Sequence, residues 1–185
     1  MYPTIENLNA DLNQRFKRIQ MLVMDVDGVM TDGGLMLGDD GQEYKTFYSH
    51  DGLGMKILQA TGIQLAIITA RSSSLVLKRA QNTGIQHVYQ GAEDKLVALH
   101  SLLNSTQIPP QHCAFMGDDV VDLPPMLHCG LAIAVPASSK LVLEKAHYIT
   151  QHHGGRGAVR EVCELMMQSQ GTFEAQMQRY LRQAR

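Results

Sequence analysis

Residues 21–33, MLVMDVDGVMTDG, set the first strand of the expected fold and place acidic side chains at its end. The apolar run predicts a buried strand that ends at Asp25, with Asp27 on the turn that follows. Carboxylates two residues apart on a strand lie on the same face, where they repel each other unless a cation or a proton offsets their charge. Asp and Gly are also common turn formers, so this stretch alone does not separate a plain turn from a chemical site.

Short β-type runs alternate with helical patterns along the rest of the chain. The β-type runs are QLAIIT (64–69), HVYQG (87–91), CAFMGDD (113–119), LAIAV (131–135) and HYIT (147–150). The helical patterns are DGLGMKILQATG (51–62), SSSLVLKRAQNTG (72–84), EDKLVALHSLLNST (93–106), DLPPMLHCG (122–130) and SSKLVLEKA (138–146). This alternation predicts an α/β fold, a Rossmann-like, doubly wound and mainly parallel sheet with helices on both faces. We expect one domain over residues 1–185.

Two segments do not follow this alternation. Residues 33–48, GGLMLGDDGQEYKTFY, contain two β-type runs around GDDG and predict a hairpin flap between the first strand and the first helix. The tail at 172–185, TFEAQMQRYLRQAR, is compatible with either a surface helix or a frayed end.

Composition and charge exclude several functional classes. The chain has 185 residues, 44% of them hydrophobic, and its formal net charge of −2 offers no broad basic surface for nucleic acid. No apolar run approaches the roughly 20 residues of a membrane span. The N-terminus lacks the pattern of a secretory signal, and the three cysteines have no metal-ligand spacing. We therefore expect a cytoplasmic protein with inert thiols and no zinc site, nucleic-acid partner or membrane partner.

Polar side chains follow the expected strands at the edge of the sheet where ligands of doubly wound folds bind. These residues are Asp25, Asp27, Thr69, Arg71, Asp118, Asp119 and Asp122, together with Lys95 at the start of the helix after HVYQG. Carboxylates that converge on one place raise one another's pKa unless a hard dication and a lysine offset their charge. Mg²⁺ is the cation that such a set of oxygen ligands fits best.

In this order, these elements resemble the four motifs of the haloacid dehalogenase superfamily of phosphohydrolases, over residues 21–170. More narrowly, six stretches of the chain resemble the 3-deoxy-D-manno-octulosonate 8-phosphate phosphatase family. They are DVDGVMTDG, YKTFYSHDGLGMKIL, ITARSS, YQGAEDK, GDDVVDLP and GGRGAVREVCELM. That family acts on a phosphorylated eight-carbon keto-acid on the route to lipopolysaccharide. The resemblance implies a phosphatase whose partner is a small phosphorylated sugar acid.

The resemblance also implies the catalytic roles. Asp25 is the nucleophile that takes the phosphoryl group, and Asp27 is the general acid and then the general base. Thr69 donates a hydrogen bond to the phosphoryl oxygens. Lys95 neutralises charge on the phosphoryl group and on the nucleophile.

For the metal, the resemblance implies Mg²⁺ as cofactor. Its protein ligands are a carboxylate oxygen of Asp25, the backbone carbonyl of Asp27 and the carboxylate of Asp118. Asp119 and Asp122 are expected to support this site from behind.

The site must be closed by something other than a cap domain. Neither the hairpin flap nor the stretch 71–95 holds the roughly 50 residues that a separate domain needs. In the family that the chain resembles, four hairpins meet in a central barrel, which would make this chain a homotetramer and would bury the apolar residues 35–37. The glycine-rich segment of the family reaches a neighbour's site, which implies substrate contacts for Gly154, Gly155 and Arg156.

Two arginines are assigned by the resemblance to the substrate's carboxylate, for which a guanidinium fork is suited. They are Arg71 and Arg79, and the alternative for Arg79 is a solvated position on its helix. The GGRG segment at 154–157 has its own alternative, a flexible lead-in to a helix. The chain departs from the family's pattern at His50, where an arginine is usual, and this puts details of substrate contact in question.

Other functions stay open at this point. A phosphatase for another acidic sugar, such as a nine-carbon sialic acid phosphate, or the related domain of sialic acid activating enzymes, would use the same chemistry. A receiver-like signalling module would keep its phospho-aspartate instead of hydrolysing it. Asp27 argues against that module, because an acid two residues beyond the nucleophile speeds hydrolysis.

Overall fold

A parallel sheet lies at the centre of the computed structural model, which describes residues 3–182. The strands are β1 (Met21–Met24), β2 (Met36–Leu37), β3 (Glu43–Tyr44), β4 (Gln64–Ile68), β5 (His87–Tyr89), β6 (Cys113–Gly117), β7 (Leu131–Ala134) and β8 (Tyr148–Ile149). Six of them form the sheet in the order β5-β4-β1-β6-β7-β8, and every neighbouring pair is parallel.

Helices cover both faces of this sheet. They are α1 (Ala10–Arg18), α2 (Ser49–Gln59), α3 (Ser74–Thr83), α4 (Lys95–Thr106), α5 (Leu123–His128), α6 (Lys140–Lys145), α7 (Ala158–Ser169) and α8 (Phe173–Arg182). One buried cluster includes Phe16, Met55 and Val162 from α1, α2 and α7, and a second includes Leu99 and Val142 from α4 and α6. The doubly wound α/β prediction is thus confirmed, while the single-domain interpretation of residues 1–185 stays a prediction.

The chain reverses its direction of travel across the sheet next to β1. Met24, the last residue of β1, pairs with Ile67 of β4 and with Met116 of β6. Strands β4 and β5 lie on one side of β1, and β6 to β8 lie on the other. The residues after β1, β4 and β6 therefore start at one edge of the sheet, at the switch point where doubly wound folds bind ligands.

Local sequence signals set the ends of the helices. The hydroxyl of Ser73 accepts the backbone N–H of Leu75 at the start of α3, and Gly84 ends that helix with a left-handed φ of 81°. At the start of α4, the carboxylate of Asp94 accepts N–H groups of the first turn. A serine at the start and a glycine at the end of residues 72–84, and Lys95 as the first residue of α4, agree with the sequence pattern.

The expected hairpin forms within residues 33–48. Its two strands, β2 and β3, pair in the antiparallel sense with Met36 opposite Tyr44. The apolar side chains of the hairpin stay exposed, with 65% of Leu37 accessible. The hairpin therefore carries an uncovered apolar surface within the single chain.

The C-terminal segment after Gly171 forms a helix, α8, up to Arg182. This resolves the choice between helix and frayed end for residues 172–182, whereas residues 183–185 lie outside the described residues. Between residues 3 and 182, no helix is both long and apolar enough to cross a membrane.

The three cysteines are free and buried. The side-chain hydrogen bond that the Cys113 thiol makes with Cys129, together with burial, raises the pKa of Cys113, and burial raises the pKa of Cys163. Thiols with raised pKa values are poor nucleophiles, which agrees with the expectation of inert core cysteines.

Candidate active site

The loop after β1 starts the site with Asp25. Its backbone N–H donates to the carbonyl of Met116 on β6 at 3.0 Å, which continues the sheet for one more residue. The side chain is buried, and its Oδ1 has no hydrogen-bond partner, while Oδ2 lies 3.0 Å from Lys95 Nζ. Gly28 has φ +94°, and a Cβ there would lie 2.2 Å from the carboxylate of Asp118. Only glycine lets this loop pass so close to that carboxylate.

Lys95 lies between two carboxylates at the start of α4. Its Nζ is 2.6 Å from Asp122 Oδ1 and 3.0 Å from Asp25 Oδ2, and its side chain is only 2% exposed. Burial alone would lower the pKa of Lys95, but the charges of the two carboxylates outweigh it and raise the pKa above the ordinary value. The lysine is therefore a permanent buried cation beside the expected nucleophile.

The residues after β6 divide the roles of three neighbouring acids. The buried Asp122 accepts the backbone N–H groups of Asp118 and Asp119 with Oδ2, at 3.0 Å and 3.2 Å, while its Oδ1 faces Lys95. Asp119 is exposed, and its carboxylate accepts the N–H of Val120 at the start of the 3-10 helix Val120–Asp122. Asp122 thus holds the loop after β6, whereas Asp119 caps the 3-10 helix at the surface, and the support of a metal site by either residue stays a prediction.

Three carboxylates are close enough to share a dication. Oxygens of Asp25, Asp118 and Asp122 all lie within 4.8 Å of one another. Burial and the charge of Asp122 raise the pKa of Asp25 to about 6, and burial with the charges of Asp122 and Asp25 raises that of Asp118 to about 7. Because Asp122 is committed to Lys95 and to backbone N–H groups, Asp25 and Asp118 are the two with oxygens to offer. A buried carboxylate oxygen without a hydrogen-bond partner and two aspartates with raised pKa values are ligands that a hard cation such as Mg²⁺ would stabilise.

Thr69 reaches the same edge directly after β4. Its backbone N–H donates to the carbonyl of Tyr89 on β5 at 2.9 Å, and its side chain is buried. In the parallel register of β1 and β4, Met24 pairs with Ile67, so Thr69 lies at the same edge of the sheet as Asp25 and one residue further along. The role of the Thr69 hydroxyl as a donor to a phosphoryl group stays a prediction.

Asp27 lies under the hairpin and is held by two cations. Lys45 Nζ is 2.5 Å from its Oδ1, and Arg71 Nε is 3.7 Å from its Oδ2. Glu43 joins both cations, at 3.2 Å from Lys45 Nζ and 3.1 Å from an Arg71 nitrogen. Sequence reasoning missed Lys45. The spacing of Glu43 and Lys45 on a β-type run predicts only that they share a face, and it does not indicate that this face meets Asp27.

Arg79 lies half-buried and away from a plain solvated face. Its guanidinium donates to the carbonyl of Tyr48 at 2.8 Å and lies 5.3 Å from the centre of the Phe47 ring. A Cβ at Gly52 would lie 2.7 Å from the guanidinium, so glycine makes room for it. In this structure Arg79 fixes the segment between the hairpin and α2, and its contact with a substrate carboxylate stays a prediction.

The GGRG segment packs against the loop after β1 of the same chain. Gly155 donates to the carbonyl of Val29 at 3.0 Å, and a Cβ at Gly154 would lie 1.7 Å from the carbonyl oxygen of Gly28. The two glycines are buried against the chain's own backbone, which argues against a flexible lead-in, and their contact with substrate stays a prediction. Arg156 is exposed and lies 3.4 Å from Asp32, so its role toward a neighbour stays a prediction.

Comparisons with known proteins show which family the chain is similar to. Residues 82–162 match the model of a haloacid dehalogenase-like hydrolase family. The 3-deoxy-D-manno-octulosonate 8-phosphate phosphatase of Yersinia pestis is 48% identical over 89% of this chain and 88% of its own length, and that of Escherichia coli BL21-DE3 is 41% identical over 90% and 89%.

Solved structures of 3-deoxy-D-manno-octulosonate 8-phosphate phosphatases are also similar to this chain. The crystal structure of the Yersinia pestis phosphatase has a TM-score of 0.89 at 47% identity and covers 90% of each chain. The Moraxella catarrhalis phosphatase, solved with magnesium ion, phosphate ion and a KDO molecule, has a TM-score of 0.90 at 44% identity, over 92% of this chain and 98% of its own. The chain belongs to the 3-deoxy-D-manno-octulosonate 8-phosphate phosphatase family of the haloacid dehalogenase-like hydrolases.

Proposed function

We propose that this chain hydrolyses 3-deoxy-D-manno-octulosonate 8-phosphate to the free sugar acid and phosphate, as a magnesium-dependent step of lipopolysaccharide biosynthesis. The observation that carries the proposal is the buried carboxylate of Asp25, with one unpartnered oxygen and Lys95 at 3.0 Å, at the switch point of the sheet. Relatives at 41% and 48% identity carry this activity in their names. The three free, buried cysteines of this chain are consistent with the reducing environment of the cytoplasm, where we place the enzyme.

In the first half of the reaction, the carboxylate of Asp25 attacks phosphorus and forms a phospho-aspartate. Asp27 acts as the general acid and donates a proton to the oxygen that leaves from C8 of the sugar acid. The ammonium of Lys95 and the hydroxyl of Thr69 stabilise the charge on the transferring phosphoryl oxygens. Mg²⁺, held by Asp25, Asp118 and the Asp27 carbonyl, would offset the negative charge of the carboxylates and of the phosphate.

In the second half, Asp27 has become a carboxylate and takes a proton from water. That water attacks the phosphorus of phospho-Asp25, the bond between phosphorus and the aspartyl oxygen breaks, and inorganic phosphate leaves. Lys95 is also paired with Asp122, at 2.6 Å, so Asp25 is not the only residue that holds it in place.

The proposed function is tested by phosphate release from a panel of phosphorylated sugar acids in the presence of magnesium. We expect the eight-carbon keto-acid phosphate to give the highest kcat/KM. A higher kcat/KM for a nine-carbon sialic acid phosphate would change the proposed substrate and leave the proposed reaction unchanged. A phosphorylated protein that accumulates without releasing phosphate would indicate a receiver-like module instead.

Arg71 supplies the first prediction about substrate choice. Because we assign it to the substrate's carboxylate, Arg71→Ala should lower kcat/KM for the sugar acid phosphate about 10- to 150-fold. This corresponds to a loss of roughly 1.5 to 3 kcal/mol of transition-state stabilisation. A phosphate ester without a carboxylate should lose much less. Steady-state kinetics on the two substrates checks this, and equal losses would assign Arg71 to the phosphoryl group or to Asp27 instead.

We also propose that the hairpin joins four chains and that Arg156 of each reaches a neighbour's site. The support is the apolar surface of the hairpin, where Leu35, Met36, Leu37 and Tyr44 are all exposed within one chain. Monomeric proteins seldom expose adjoining apolar side chains on a short strand pair, because such edges associate.

Leu37→Glu should break this assembly, since it places a charge where an apolar contact is expected. Light scattering coupled to size exclusion should show four times the 20.5 kDa of one chain for the unmodified protein and a smaller mass for the variant. Leu181→Glu is the matched control, because Leu181 on α8 is 62% exposed against 65% for Leu37. Dissociation by both variants, or by Leu181→Glu alone, would contradict the role of the hairpin.

A further inference from the structure

Lys45 is the one lysine of the hairpin, and its ammonium is almost completely removed from water. Its side chain is 2% exposed, although it follows directly after the exposed strand β3. The Nζ atom lies 2.5 Å from Asp27 Oδ1 and 3.2 Å from Glu43 Oε1. An ion pair shielded in this way holds its partners far more firmly than a surface pair does.

The two cations beside Asp27 differ in how freely they can leave it. Arg71 is 48% exposed, and its Nε is 3.7 Å from Asp27 Oδ2, too long for a hydrogen bond. Lys45 is enclosed and in direct contact with Oδ1. If Arg71 turns to the carboxylate of a substrate, Lys45 still holds Asp27, and Oδ2 becomes accessible.

We propose that Lys45 is a positioning residue for Asp27. The proposal rests on the proposed function, because it assumes that Asp27 exchanges protons with the leaving oxygen and with water. Lys45 holds Oδ1, so that Oδ2 carries the proton to the leaving oxygen as the bond between phosphorus and that oxygen breaks. The same Oδ2 later takes the proton of the attacking water. Since Lys45 belongs to the hairpin, the flap then contributes to catalysis and not only to assembly.

The test compares two leaving groups. An alkyl phosphate needs a proton on its leaving oxygen, whereas p-nitrophenyl phosphate has a leaving group that needs little help. Lys45→Met should lower kcat for the best primary alkyl phosphate of the panel by about 10- to 100-fold, with little change in KM. The first turnover of p-nitrophenyl phosphate, measured as a burst of nitrophenolate, should change by less than about threefold. Lys45→Arg should recover part of the lost kcat.

A double-mutant cycle separates positioning from a general structural effect. In an Asp27→Asn background there is no proton carrier to position, so adding Lys45→Met should lower the residual rate by less than about twofold. Lys140→Met is the matched control, since it removes the same charge from a side chain that is 91% exposed on α6. It should leave both substrates unaffected.

Three results would overturn the proposal. They are equal losses on the alkyl and aryl esters, a rise in KM with kcat unchanged, and a full additional loss in the Asp27→Asn background. If Lys45→Met does not fold, as judged by circular dichroism and thermal melting, the same ratios are taken from Lys45→Gln. A wild type that hydrolyses neither ester would contradict the proposed function, whereas an active wild type with equal losses would contradict only the role of Lys45.

Discussion

Asp25→Asn should lower phosphate release by at least about 10⁴-fold, because the amide cannot attack phosphorus and no neighbouring acid is placed to replace it. Asp122 is committed to Lys95 and to two backbone N–H groups, and Asp118 belongs to the next loop of the sheet edge. Acid-quenched wild type should yield a phosphorylated peptide that contains Asp25, and the variant should yield none.

The fold should survive this substitution. Asparagine has almost the shape of aspartate, and Lys95 keeps its partner Asp122 at 2.6 Å. Removing one of three crowded carboxylates also relieves repulsion, so the melting temperature in chelator should be equal to or higher than that of wild type. Asp11→Asn on the exposed surface of α1 is a control for the change of charge. Activity of Asp25→Asn above about 1% of wild type, in protein checked by mass spectrometry, would refute a nucleophilic Asp25.

The sequence was sufficient to predict the sheet edge of the site. Asp25, Thr69 and Asp118 each follow an apolar run that alternates with helices, and parallel strands bring their carboxyl ends to one edge. Lys95 was predictable for a related reason, since the capping residue Asp94 marks the start of α4. These inferences depend on local pattern and on topology, which a sequence states directly.

Contacts made by turns and flaps were not predictable in the same way. Asp119 and Asp122 both belong to the motif GDDVVD, and only the 3-10 helix turns Asp122 inward while leaving Asp119 at the surface. Lys45 reaches Asp27 because the hairpin folds back over the loop after β1, an orientation that neither strand pattern encodes. The same holds for Gly154. Only glycine fits there because the backbone packs against the carbonyl of Gly28, a residue far away in the chain.

The N-terminal helix α1 shows a different limit of prediction from local sequence pattern. Asn9 caps it and accepts the N–H of Leu12, which is a recognisable start signal. Phe16 is its one buried side chain, and Leu12 and Phe16, four residues apart on one face, give this short and mainly polar helix its apolar side. The helix forms where Phe16 packs against the core, a long-range contact that lies outside local pattern.

Removal of the metal should abolish activity and should change how stability depends on pH. The folded-state pKa values of Asp25 and Asp118 are about 6 and about 7, above the ordinary value near 3.8. Between about pH 4 and 7 the metal-free folded protein therefore binds more protons than the unfolded chain, so its stability falls as pH rises through this window. Mg²⁺ replaces those protons, and it should raise the melting temperature much more at pH 8 than at pH 5.

The measurement is a pair of thermal melts with and without Mg²⁺ at each pH, next to phosphate release in EDTA. Excess Mg²⁺ should restore the activity, which shows that the chelator acts by removing metal rather than by binding to the protein. Asp118→Asn should abolish both the rescue and the stabilisation at pH 8, because it removes one of the two carboxylates with oxygens to offer. Full turnover in EDTA, with metal content verified by mass spectrometry, would exclude the metal from the reaction. An equal stabilisation at pH 5 and pH 8 would instead place the ion away from these two acids, since only a site built from titrating carboxylates must lose protons to bind it.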